Sequence, residues 1–315
     1  MSLVNDCRPH PQEGRVLAAA RAARLQRALA DHPGETPCLA VLDIGSTAAD
    51  RARTAALQHR AQRVGLRVSV DDLPGEIGEP ELLERIAALG ANADVHAILI
   101  GTALPDHIDP AAVRAALPPA KDLARAVGDG PAYAADGDSR LPPGAAAACR
   151  VWLGAVLPAG AFGRRAVVIG ATHGPGPAIA EPLLRDGCTA TLAHPLTRGL
   201  PALCRAADIV IAALDRPKMV PERWIRSGAA VIDLGQTRGG DGLSGRLRVV
   251  GDLQPAAARR AGAMASLAGD IAPLAHVCVL EAAFALARGQ VETPTARDPL
   301  APSSPAAALV AGLAV

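Results

Sequence analysis

The chain has 315 residues, half of them hydrophobic and only five aromatic, and its formal charges nearly cancel at +1. Such a chain has neither the basic footprint nor the stacking platform of a nucleic-acid binder. No uninterrupted apolar run approaches the roughly 18 residues of a membrane span, the opening MSLVNDCRPHPQEG has no apolar signal core, and the six cysteines contain no C-x-x-C pair. The expectation is a cytoplasmic protein with reduced thiols and no nucleic-acid, membrane or metal partner.

In chain order, EGRVLAAARAARLQRALAD (13–31) places Val16, Leu17, Ala20, Ala23, Leu25 and Leu29 at mostly helical spacing. PCLAVLDIG (37–45) reads as a buried strand, and TAADRARTAALQHRAQRVGL (47–66) as a helix with Gly65 where a C-cap belongs. RVSVDDL alternates like a strand, EPELLERIAALGAN is helical, and HAILIGT (96–102) is a second buried strand. Residues 126–144 are dominated by Gly, Asp and Pro and predict a long loop, followed by a helix through AAAACRVWLGAVL. The alternation then restarts: strands at 166–170, 189–193, 208–213 and 230–234, and helices at 175–186, 200–206 and 221–226. HVCVLEAAFALARG (276–289) is the last helix, ahead of a Pro-, Ala- and Ser-rich tail. Strands alternating with helices predict parallel sheets joined by right-handed crossovers.

The stretch AVVIGATHGPGPAIAEPLL (166–184) runs from a strand through Gly170, Gly174 and Gly176 into a helix. Glycines let a backbone approach a ligand closely, and the free N–H groups of a helix start favour an anion. The spacing is not G-x-G-x-x-G, Pro175 and Pro177 remove two donors, and the next strand ends at His194 instead of an acid. A nucleotide cradle and an ordinary tight strand-to-helix turn both fit these residues.

Several segments, in the same order, resemble the methylenetetrahydrofolate dehydrogenase/cyclohydrolase family: VHAILIGTALPDHID (95–109), GRRAVVIGATHGPGPAIAEPLL (163–184), LAHPLTRGL (192–200), ADIVIAALDRPKMV (207–220), GAAVIDLG (228–235), VGDL (250–253) and LAGDIAPLAHVCVLEAA (267–283). The resemblance implies an α/β fold of two domains with a cleft between them. The N-terminal folate-type domain would cover residues 1–150, with a helix at 274–290 packing back on it. A Rossmann-like NAD(P)-binding domain would cover 151–273, and 291–315 would be a mobile tail. It further implies a homodimer and a folate-like small-molecule substrate. The cofactor would meet Gly170, Thr172, Gly174, Gly176, His194, Thr197, Asp233 and Gly235.

The residues that do the family's work are replaced. Counting back from Gly65, its Tyr-x-x-x-Lys pair falls on Arg53 and Leu57, its glutamine on Gly101, and the second aspartate of its K-D-x-D-G on Ala124. An arginine and a serine that would grip a 2′-phosphate are Ala171 and Pro195, so NADP loses its usual advantage over NAD and either dinucleotide should bind weakly. The paired glycines of the family's last loop become Gly269-Asp270, and Asp270, His276 and His173 are the candidates for a new acid–base set. His59 reads as a solvated helix residue and His107 as a loop-structuring one. The expectation is a divergent family member, an NAD(P)-linked one-carbon oxidoreductase of altered chemistry without cyclohydrolase activity. The alternatives are a non-catalytic descendant that binds a ligand or a partner chain, and conventional folate activity at poor rates.

Overall fold

The computed structural model describes residues 13–32, 34–101, 104–127, 141–157, 159–170, 176–240 and 247–290. The predicted tail at 291–315 and most of the predicted loop at 126–144 lie outside them. After α1 (Glu13–Ala30) come β1 (Cys38–Ile44), α2 (Ala48–Val64), β2 (Arg67–Leu73), α3 (Glu79–Ala91) and β3 (Ala97–Ile100). The three strands form a parallel sheet in the order β2-β1-β3. The central β1 is buried along its whole length, while the outer β2 is partly exposed throughout. A capping box starts α2: Thr47 accepts from the Asp50 N–H, and the Asp50 carboxylate accepts from the Thr47 N–H. At its other end the Gly65 N–H closes on Ala61 and Gln62.

Two short helices, α4 (Pro110–Ala116) and α5 (Leu123–Val127), precede α6 (Ala145–Val156). The second unit contains β4 (Arg165–Ile169), α7 (Gly176–Arg185), β5 (Thr189–Ala193), α8 (Leu200–Ala206), β6 (Ile209–Ala212), β7 (Ala230–Asp233) and β10 (Ala263–Ser266). Its five strands are all parallel, in the order β10-β7-β6-β4-β5. An antiparallel hairpin of β8 (Thr237–Gly240) and β9 (Leu247–Val250) stands apart from it.

The chain then returns. A π-helical turn (Leu267–Ile271) leads into α9 (Ala272–Ala287), which packs on α1, α5 and α6 of the first unit. Leu274, Val277 and Leu280 of α9 join one continuous core with Val41, Leu57 and Leu99 on one side and Val168, Ile211 and Ile232 on the other. Each such large apolar side chain contributes about 1.5–3 kcal/mol when fully buried. Arg21 and Arg24 of α1 both reach Glu281 of α9, reinforcing the seam.

Three expectations need correction. The predicted helix at 221–226 is one 3-10 turn, Glu222–Trp224, between the N–H of Trp224 and the carbonyl of Pro221. The last helix begins at Ala272, earlier than expected, because Pro273 sits in the first turn, where its missing N–H costs nothing. Leu267–Ala287 is long and apolar enough to cross a membrane by length and composition, although no single apolar run suggested it. It is 67% buried inside the protein, as the core helix of a packed fold is.

Candidate functional site

β4 lies between β5 and β6, so the chain order reverses beside it. In open α/β sheets the crevice at such a reversal, outside the carboxyl ends of the strands, is where ligands bind. Gly170 ends β4 there with φ +98°, and a Cβ on it would stand 2.0 Å from the Ala213 carbonyl oxygen. Any side chain at 170 would push the ends of β4 and β6 apart. The Gly170 N–H donates to the Ala193 carbonyl at 2.9 Å, and α7 starts at the buried Gly176. The order of strand, glycine and helix start fits a dinucleotide's phosphates. Thr172, His173 and Gly174 lie outside the described residues, so the expected places of Thr172 and Gly174 at the cofactor and of His173 in an acid–base set have no geometry here.

The remaining expected cofactor residues surround the same crevice with most of their polar atoms engaged. The His194 N–H donates to Thr197 Oγ1 at 2.9 Å, and His194 Nδ1 accepts the Leu196 N–H at 3.0 Å, so the pair closes the turn after β5. Asp233 accepts the N–H groups of Gly235, Asp252 and Leu253. Asp252, 0% exposed, accepts those of Leu214 and Arg216 at 2.6 and 2.7 Å. Two buried carboxyls therefore fasten three loops at the ends of β6 and β7. Burial raises the pKa of both, and Asp252, also facing Asp233 and Asp215, is pushed up to about 6. Sequence reasoning gave Asp252 no role, although it lies in the VGDL segment that carries the resemblance.

At the first unit's end of the cleft, Leu57 is 5% exposed and belongs to the shared core. Ala124 lies at the start of α5, half-buried. The neighbouring Lys121 ammonium donates to the carbonyls of Gly90 and Asn92, and Asp122 accepts the Arg125 N–H. His107 Nε2 sits 2.9 Å from the Ile77 carbonyl, a loop-structuring contact, and His59 is exposed.

The group that the sequence reading missed is Asp43. It is the next-to-last residue of β1, lies beside Gly101, is 1% exposed, and faces the same side of the sheet as Val41, toward α2. Thr54 Oγ1 of α2 donates to its Oδ2 at 2.8 Å, while Oδ1 has no partner among the described residues. A Cβ on Gly101 would stand 2.0 Å from that Oδ1, so Asp43 in this position and any side chain at 101 exclude each other. Burial raises the Asp43 pKa, Asp72 and Asp50 add to the rise, and Thr54 and Arg53 oppose it. The available signal was an acid inside the otherwise apolar PCLAVLDIG.

Asp270 and His276 do not meet as an acid–base set. The Asp270 carboxylate accepts the N–H groups of Gly14 and Ser266 and contacts the Ser266 hydroxyl, tying the start of α1 to the π turn. His276 is 9% exposed, its Nδ1 has no partner, and burial with Arg60 beside it lowers its pKa to about 4.

Residues 13–124 match the catalytic domain of the tetrahydrofolate dehydrogenase/cyclohydrolase family, and residues 154–291 match its NAD(P)-binding domain. The chain belongs to that family. It is 36% identical over 265 residues to a bifunctional protein FolD of Rhodopseudomonas palustris (strain HaA2), covering 84% of this chain and 89% of the relative. The FolD of Rhodospirillum rubrum is 34% identical over 281 residues, covering 86% and 94%. Among solved structures, FolD of Campylobacter jejuni superimposes with a TM-score of 0.77 at 25% identity, covering 89% of this chain and 99% of that one. The Trypanosoma brucei dehydrogenase-cyclohydrolase, complexed with NADP and an inhibitor, gives 0.76 at 25% identity, covering 90% and 98%. The cofactor of this chain is therefore NAD or NADP, and the two-domain α/β fold is the family's.

The raised pKa of Asp252 makes a signed prediction. Its folded pKa of about 6 lies above the ordinary 3.8, so the stability it contributes is full below about pH 4 and is lost as pH rises through 6. His276, with its pKa lowered to about 4, acts in the opposite sense between there and 6.5. The comparison must therefore be between variants. Asp252→Asn should lower the urea midpoint at both pH 5 and pH 7, with a smaller loss at pH 7. An equal loss at both would contradict the assignment.

Proposed function

We propose that this protein is an NAD(P)-linked dehydrogenase acting on the one-carbon unit of a folate, working without the hydrolytic half of the family's chemistry. What supports the reading is Leu57, buried in the core at the position to which the resemblance assigns the family's lysine, together with Gly101 and Ala124 at two further positions that the resemblance assigns to functional residues. The bound cofactor supplies the hydride acceptor. What the protein must add for hydride transfer is chiefly proximity and orientation, which the cleft retains. Hydrolysis of the methenyl product needs a base to activate water. A leucine supplies none, and Asp43 is a buried hydrogen-bonding group whose burial shifts it toward its neutral form. Asp43 is assigned here as the polar group of the folate site, with Thr54 positioning its carboxyl.

On the cofactor side, Gly170, Gly176, the His194–Thr197 turn and Gly235 would border the dinucleotide, and Pro195 gives a 2′-phosphate no donor. We assign the chain to a reducing compartment such as the cytoplasm, in keeping with the five buried free thiols among the described residues. It is also proposed to be a homodimer. Leu184, Leu192 and Leu196 are 55%, 48% and 81% exposed, and β5, which carries Leu192, is the free edge of the five-stranded sheet.

Mixing the protein with 5,10-methylenetetrahydrofolate and either nucleotide should produce reduced nicotinamide absorbance, with NAD at least as effective as NADP. Asp43→Leu, which is close in size and has no polar atom, should lower kcat/KM by about tenfold, the loss of one good hydrogen bond, whereas Asp43→Asn keeps a donor and an acceptor and should retain most of the rate. No reduction with either nucleotide would favour the non-catalytic reading. An unchanged Asp43→Leu rate would remove Asp43 from the site.

Light scattering should give twice 31.9 kDa for the natural chain, and a Leu192→Asp, Leu196→Asp double variant should fall to 31.9 kDa. A natural chain at 31.9 kDa across concentration would contradict the dimer.

A further inference from the structure

Most arginines with a described ion pair reach a carboxylate from another element or turn: Arg85 meets Asp71, Arg150 meets Asp186, and Arg226 meets Asp208. Arg15, Arg60 and Arg63 differ. They line one groove between α1, α2 and α9, and among the described residues none of them meets a carboxylate. Arg15 donates to the backbone carbonyl of Gly269. Arg60 is half-buried, and its pKa is lowered by burial and then by the charges of Arg63 and Arg15, so the three cations crowd one another without a counter-charge.

The groove encloses about 600 Å³, within the range of small-ligand sites. Beyond the arginines and Gln26 its walls are apolar, with Ala18 and Ala22 of α1, Val64 of α2, and Pro273, Val277 and Leu280 of α9. The depth comes from the alanines of α1, which leave space where larger residues would close on α9. His276, one residue before Val277, does not line the groove but is buried beside Arg60, and among the described residues its Nδ1 has no partner and offers Arg60 no counter-charge.

We propose that this groove binds a small amphipathic anion, its phosphate or carboxylate head among Arg60, Arg15 and Arg63 and its apolar body along Ala22, Val64 and Val277. The arginines supply the planar donor forks that suit either head. The body replaces water on an apolar floor. Neither part of the argument uses the cofactor turn or Asp43, so the site stands apart from the dehydrogenase reading.

Calorimetric titration of the full chain with octyl phosphate and octanoate, below their micelle concentrations, tests the proposal. Both should bind saturably, the tighter one naming the head group, while octanol and octylammonium should bind at least about tenfold more weakly, a difference of about 1.4 kcal/mol. Arg60→Gln should weaken the anions about tenfold. Ala22→Trp, which keeps every arginine and fills the groove, should abolish binding and serves as the second variant if Arg60→Gln fails to fold. Octanol binding as tightly as the anions, no binding of either anion at millimolar concentration, or binding unaffected by Ala22→Trp would overturn the proposal.

Discussion

The packing of α9 against α1, α5 and α6 is the constraint on which the cleft depends. The last helix leaves the five-stranded sheet through the π turn and inserts Leu274, Val277 and Leu280 into a core that also contains Val41 and Leu99 of the first sheet and Val168 and Ile211 of the second. Two sheets sharing one core cannot rotate freely against each other, because a close-packed interior has no spare volume. Asp270 belongs to this seam. Its carboxylate meets the N–H of Gly14 at the start of α1, where a negative charge is favoured by the free N–H groups of the helix end. An acid in a loop expected to do chemistry is instead a clasp between the returning chain and the first helix.

Within the cleft so fixed, the described polar residues divide into those whose atoms are engaged and those that are not. Asp233, Asp252, His194 and Thr197 are tied to backbone N–H groups and shape the rim of the dinucleotide crevice. At the first unit's end of the cleft one carboxyl oxygen, Asp43 Oδ1, is buried with no partner among the described residues. An unpartnered buried polar atom costs on the order of 1–3 kcal/mol, and such costs persist at functional sites more readily than elsewhere. The exclusion between Asp43 and any side chain at 101 means that this carboxyl has its place only because position 101 is a glycine.

Much of the architecture was legible in the sequence because periodicity and punctuation agreed. RVSVDDL alternates and forms β2, Gly65 caps α2, and the run from 166 to 234 gave the strands of the second sheet apart from β10 nearly to the residue. What was not legible has physical causes. A 3-10 turn at Glu222–Trp224 and a helix share the same first turn of dihedral angles. The β8–β9 hairpin carries the turn dipeptides Asp241-Gly242 and Ser244-Gly245 between its strands, but Thr237–Gly240 has no apolar alternation to mark a strand, and α9 is apolar nearly all round, so its start carried no amphipathic signal. At the site, Leu57, Gly101 and Ala124 could be set against the family's pattern from the sequence alone. The place of Asp43 could not be read that way, because an acid in a strand does not announce which face it takes or what lies opposite. The role of Asp270 was likewise invisible, since its partner Gly14 is 256 positions away.

The central claim is that this cleft moves a hydride and leaves the methenyl product unhydrolysed. The direct measurement follows both species at once: reduced nicotinamide formed, and methenyltetrahydrofolate remaining in the same mixture. The account predicts that methenyltetrahydrofolate accumulates one for one with reduced nicotinamide, corrected for its enzyme-free decay, and that added protein leaves that decay unchanged. Formyltetrahydrofolate appearing as fast as nicotinamide is reduced would contradict it and would show that another group in the cleft activates water in place of the missing lysine.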